Sequence, residues 1–176
     1  MISGMEAPPS SAQASRPSFA RLQWLFPIAV TLHNGEEALT MPGWVAQHAA
    51  KLPVHAPGTF PMRAALLVLT ASAFLVTWMS SRGGKQSLGV YLLFGGMVTM
   101  LVNLVVPHLP ATILFRGYTP GVITATLLNL PIMLLLLWRA LVEQWVSGWK
   151  AVGFSVNVPL VIAGSILAWF HLTSLS

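Results

Sequence analysis

Two of the four acidic residues in this 176-residue chain are neighbours, Glu36 and Glu37, and they follow His33 by three and four positions. On a helix that spacing places the imidazole and both carboxylates in one sector of the surface. Two kinds of chemistry suit such a sector. An imidazole nitrogen and carboxylate oxygens one turn apart can hold a divalent transition metal. Adjacent carboxylates in an apolar setting can also share a proton and act as a coupled general acid and base. The candidate metal ligands are therefore His33, Glu36 and Glu37, with His108 as a further imidazole. The candidate acid–base groups are Glu36, Glu37 and Tyr118. The bland alternative places the acidic cluster among lipid headgroups, where water solvates it, with His108 solvated at a helix end and Tyr118 an interfacial anchor.

Other polar groups within apolar runs are few. Asn103 precedes Pro107 and Asn129 precedes Pro131, and an amide beside a proline can satisfy backbone groups that the proline frees. Pro107 is expected to bend or end the helix that carries Asn103. His48, His55 and His171 fall at or beyond the apolar segments and receive no role. The chain has no Cys, which excludes disulfides, thiolate metal sites and thiol catalysis.

The elements that must position these groups are membrane helices. Hydrophobic residues make up 55% of the chain and charged residues 7%, too few to cover a water-facing surface. The fold class is all-α, a polytopic membrane helix bundle of about five transmembrane helices. Spans of roughly 20 apolar residues are expected at 22–41, 62–80, 88–106, 120–138 and 152–171. The first is interrupted by the acidic cluster. The fourth is expected to open at Thr119-Pro120, with a hydroxyl cap and proline in its first turn. Four prolines and two glycines make a continuous helix unexpected in 42–61, where a loop or a short interfacial helix anchored by Trp44 fits better. Residues 1–20, rich in Ser, Pro and Ala, read as a disordered tail ahead of a single domain, 21–176.

The net charge is +5, but Lys and Arg lie singly between apolar runs, which argues for topology signals facing anionic lipid and against nucleic acid. A cytoplasmic N-terminus collects Arg16, Arg21, Arg82, Lys85, Arg139 and Lys150, against Lys51, Arg63 and Arg116 opposite. The expected location is the bacterial inner membrane, multi-pass, with the bilayer as partner and a homo-oligomer compatible with the sequence. Trp138, Trp145 and Trp149 mark an interface.

The string His33-Asn34-Gly35-Glu36-Glu37 resembles the motif of the HXXEE domain family, small and mostly bacterial membrane proteins of uncharacterised function. Asn103, His108 and the run Tyr118-Thr119-Pro120-Gly121-Val122 with Thr124 resemble the second half of that family. The resemblance implies that His33, Glu36 and Glu37 are the residues that matter, with Asn103, Thr124 and Asn129 as supporting polar groups.

Three functions remain open on sequence. The first is an intramembrane enzyme, metal-dependent or acid–base, acting on a lipid-soluble small molecule. The second is a small transporter or proton pathway, against which stands the lack of an internal repeat. The third is a structural subunit, for which Gly95-Gly96 offers close helix approach. The enzyme reading makes most use of an acid–base cluster in an apolar bundle.

Overall fold

The computed structural model describes residues 17–52 and 58–174. Residues 1–16 of the expected tail, and His55, lie outside the described residues. All regular structure among the described residues is helical: α1 (Phe19–Leu22), α2 (Leu25–His48), α3 (Thr59–Gly83), α4 (Leu88–Asn103), α5 (Leu109–Phe115), α6 (Val122–Thr124), α7 (Leu130–Val142) and α8 (Gly148–Ser174). Two five-residue π-helical turns, Leu104–His108 and Ala125–Asn129, join α4 to α5 and α6 to α7. The resulting continuous helices Thr59–Gly83, Leu88–Phe115, Val122–Val142 and Gly148–Ser174 are long and apolar enough to cross a membrane. At 24 residues α2 has the length to cross as well, about 36 Å, but it carries the acidic cluster and packs among the others.

Sequence and structure differ at three boundaries, each for a physical reason. Phe19 and Ala20, expected in the tail, belong to α1. Helix α2 runs through Pro42 and Gly43 to His48, where a break was expected. Proline at 42 deprives the Ala38 carbonyl of its helical donor, and the Arg63 side chain of α3 donates to that carbonyl at 3.2 Å. The third difference is at Thr119-Pro120, which does not start a helix. The Val122 N–H bonds the Thr119 carbonyl at 3.1 Å, and Gly121 has φ 84° and ψ −16°. Proline second and a left-handed glycine third are the requirements of a type II turn, so the helix starts after Gly121. The Thr119 hydroxyl pairs with Thr112 at 2.7 Å and caps nothing. At Pro107 the expected bend is present, with Val106 extended (φ −143°, ψ 113°) before the helix resumes.

Helix α4 is the axis of the bundle, packed on α3, α7 and α8. Its Gly95 is required for the α8 contact, since a Cβ there would lie 2.6 Å from Val158 and 2.7 Å from the Phe154 carbonyl. Gly96 faces the Phe26 ring of α2. The glycine pair thus serves contacts within the chain. Around it Phe26, Val30, Leu93, Met97, Met133 and Leu136 form the buried core. At the end where the chain enters, both Glu143 oxygens accept from the Phe19 N–H, and Arg139 pairs with Glu143 at 2.8 Å. The buried Ser80 hydroxyl donates to Gln23 at 2.7 Å. The Glu143 cluster fastens α1 to the turn after α7.

Candidate functional site

Some ten residues further along both helices, about 15 Å from the Gln23–Ser80 contact, Asn34 of α2 donates to the Leu66 carbonyl at 3.1 Å and to Thr70 at 2.8 Å on α3. These bonds fix the rotation of α2 and turn His33 and Glu37 toward the α4–α5 bend and the turn before α6. His33 is 1% exposed and His108 3% exposed. Their rings meet edge to face, centroids 5.1 Å apart.

The bend at Val106-Pro107 explains the presence of His108: the extended Val106 lets the helix resume with His108 beside Asn103, five residues earlier. The Asn103 amide nitrogen lies 3.0 Å from His108 Nε2 and 3.1 Å from His33 Nε2. Glu37 Oε1 stands 3.4 Å from His108 Nε2 and 3.8 Å from His33 Nε2. The three atoms His33 Nε2, His108 Nε2 and Glu37 Oε1 lie within 4.8 Å of one another. Around a tetrahedral ion with bonds of about 2.0–2.1 Å, ligand atoms are roughly 3.3 Å apart, which the 3.4 Å from Glu37 to His108 matches and the 3.8 Å from Glu37 to His33 exceeds.

The hydrogen-bond network assigns the tautomers. The Thr124 hydroxyl has one proton and faces acceptors, Glu36 Oε2 at 2.6 Å and the Gly121 carbonyl at 3.2 Å. Its oxygen must therefore accept from His33 Nδ1, 2.9 Å away. That puts the His33 proton on Nδ1 and leaves the lone pair on Nε2, facing Glu37 and His108. The His108 ring hydrogen-bonds the Pro120 carbonyl. With Nε2 accepting from Asn103, Nδ1 is the donor and the His108 lone pair also faces inward. Asn103 caps both lone pairs with its two N–H bonds.

The two glutamates diverge. Glu37 joins the histidines. Glu36 does not belong to the group of ligand atoms, because its oxygens already hold four donors. Oε1 accepts from the Tyr118 hydroxyl at 2.8 Å and the Gly121 N–H at 3.1 Å. Oε2 accepts from the Thr124 N–H at 2.9 Å and the Thr124 hydroxyl. Glu36 thus ties α2 to the turn and, through Thr124, orients His33. Tyr118 has its hydroxyl directed at Glu36 and is 42% exposed. Burial of the phenol, reinforced by the Glu36 carboxylate, holds it above its ordinary pKa, so it stays a donor. The structure places Tyr118 against Glu36, outside the three converging ligand atoms.

Gly121 had no individual role on sequence. A Cβ there would fall 2.6 Å from His108, 2.9 Å from His33 and 3.0 Å from Glu37, so only glycine lets the turn close over the site. Its left-handed φ was signalled by the Pro-Gly pair. Trp44 was expected at an interface; its indole donates to the Tyr118 carbonyl at 3.0 Å, and its ring stacks on His48 and meets Phe115. Asn129 is fully buried, and both its amide atoms are without a hydrogen-bond partner among the described residues. It does not satisfy backbone groups freed by Pro131.

A family model described as "Protein of unknown function with HXXEE motif" matches residues 24–136, a range that includes every residue of the site. The chain is also similar to "Uncharacterized protein YrkK" of Bacillus subtilis (strain 168), with 29% identity over 137 residues, 78% of this chain and 85% of that protein. No solved structure matches the chain.

Proposed function

This chain belongs to the family of proteins of unknown function with the HXXEE motif, and from that premise we propose that it is a small intramembrane metalloenzyme acting on a lipid-soluble substrate. The observation that carries this reading is the convergence of His33 Nε2, His108 Nε2 and Glu37 Oε1, all within 4.8 Å of one another. Two imidazoles and one carboxylate are the ligand set of catalytic centres that keep a coordination position open, for zinc or for non-haem iron. Bound in this set, a divalent metal would supply a Lewis acid and an activated water. Glu36 and Thr124 hold His33 in the ligating tautomer, and the Pro120 carbonyl holds His108. Asn103, which donates to both nitrogens, would have to release these lone pairs to a bound ion and would then stand beside the open position.

A lipid-soluble substrate follows from the surroundings, since the site lies between apolar helices and beneath the turn formed by Tyr118 to Gly121. The end bearing Arg139, Lys85 and Lys150 is the cytoplasmic side in this proposal, with the protein in the bacterial inner membrane. The test is metal content per chain on detergent-purified wild type, His33→Ala and Glu37→Gln, grown with zinc and iron supplied. One metal per chain in the wild type, lost in both variants while the helical circular dichroism is kept, is the expected result. A folded wild type that carries no metal and takes up none on dialysis against zinc or ferrous iron refutes the proposal.

A further inference from the structure

The bundle contains a second polar position that no hydrogen bond explains. Asn129 has 0% exposure, and neither its amide nitrogen nor its oxygen has a partner among the described residues. Leaving such a group unpaired costs about 1–3 kcal/mol, and a native protein keeps it only for a reason. Its position supplies one. Asn129 ends the π turn Ala125–Asn129, five residues after Thr124, as His108 ends the other π turn five residues after Asn103. In that first segment Asn103 and His108 touch at 3.0 Å across the kink at Val106. The unbroken π turn Ala125–Asn129 puts residues five apart on one face, so Asn129 lies under Thr124, whose hydroxyl meets His33. The turn carrying Asn129 packs against α2 and α4, and the next buried positions on its face are Met133 and Leu136. An unpartnered amide thus lies one turn deeper than the imidazoles, in the apolar interior.

We infer that Asn129 is a binding residue for the substrate of the site, pairing with a neutral hydroxyl or carbonyl group on an otherwise apolar molecule. This rests on the enzyme reading above and narrows its substrate class. The amide has both donor and acceptor, which suits an alcohol, ketone, ester or quinone oxygen. A carboxylate or phosphate group is disfavoured, because no Lys or Arg is among the buried described residues.

The experiment uses full-length protein in nanodiscs and a ten-carbon probe series: decane, 1-decanol, 2-decanone and decanoate. Binding is followed by thermal shift on wild type and Asn129→Leu, with metal content measured on the same samples and the series repeated after chelation. Wild type is expected to bind the alcohol and the ketone about tenfold more tightly than Asn129→Leu does, while decane and decanoate do not distinguish the two. Loss of this discrimination in Asn129→Leu with metal content unchanged supports the inference. No discrimination in the wild type, with a higher melting temperature for Asn129→Leu, means an internal water only and overturns it. Asn129→Ala serves if the leucine variant does not fold, and retained discrimination there overturns it too. Discrimination that persists in a wild type unable to bind metal refutes the metal reading alone.

Discussion

Replacing Thr124 by valine removes one hydroxyl at nearly constant volume and tests how His33 is held. The hydroxyl accepts from His33 Nδ1 at 2.9 Å and donates to Glu36 Oε2 at 2.6 Å. Valine takes this acceptor away and leaves the buried imidazole N–H only the Gly121 carbonyl, a loss at the low end of about 1–3 kcal/mol unless the ring moves its proton to Nε2. That tautomer has no lone pair for a metal at Nε2. Glu36 keeps three of its four donors through the Thr124 N–H, Gly121 and Tyr118, so the turn itself survives. The expected consequence is a 10–100-fold loss of metal affinity, equivalent to about 1.4–2.8 kcal/mol, with a much smaller change in thermal stability. Chelator competition with zinc, on wild type, Thr124→Val and Thr124→Ser, measures it. Serine keeps the hydroxyl and should recover most of the affinity. A folded valine variant that binds zinc within about twofold of wild type would refute the argument that Thr124 sets the His33 tautomer.

Two further perturbations separate the site from its frame. Gly121→Ala combines a left-handed φ of 84° with contacts of 2.6–3.0 Å to His108, His33 and Glu37. Beyond the about 1–2 kcal/mol for the backbone conformation, it should displace the ligands and abolish stoichiometric metal in the purified protein, whereas Gly153→Ala, which meets nothing within 4 Å, should not. At the opposite end Glu143→Gln weakens the bonds to Phe19 and Arg139. It should lower the melting temperature and leave metal content unchanged; metal loss in this variant would mean that the two ends of the bundle are coupled.

Much of the bundle was legible because apolar runs of span length have few other readings. The helical spacing of His33, Glu36 and Glu37 was legible for the same kind of reason, periodicity within one element. What was not legible depends on partners distant in sequence. Nothing near Pro42 says that α2 continues; the donor that makes this possible is Arg63 on the next helix. The divergence of the two glutamates was also hidden. Positions one apart on a helix differ by about 100°, so when Glu37 faces His108, Glu36 must face elsewhere. Where it faces is set by the 119–122 turn, 85 residues away in the case of Gly121. The Pro120-Gly121 pair did contain a type II turn, but the hydroxyl-then-proline pattern of a helix start competed with it and was the wrong choice.

The π turns bring these observations together. In uninterrupted α-helix Asn103 would share a face with residues 106 and 107, Val106 and Pro107 here, and neither is a ligand. The kink at the extended Val106, before a proline unable to bond the Asn103 carbonyl, brings His108 onto that face instead. After α6 an unbroken π turn brings Asn129 beneath Thr124. Both prolines, 107 and 131, lie within two residues of a π turn, so an irregularity that proline makes unavoidable sets the register of the site. On this view the spacing from Asn103 to His108 matters as much as the residues themselves. The motif on α2 supplies only half of the ligand set, and the bend in α4 supplies the other imidazole at the distance the set requires.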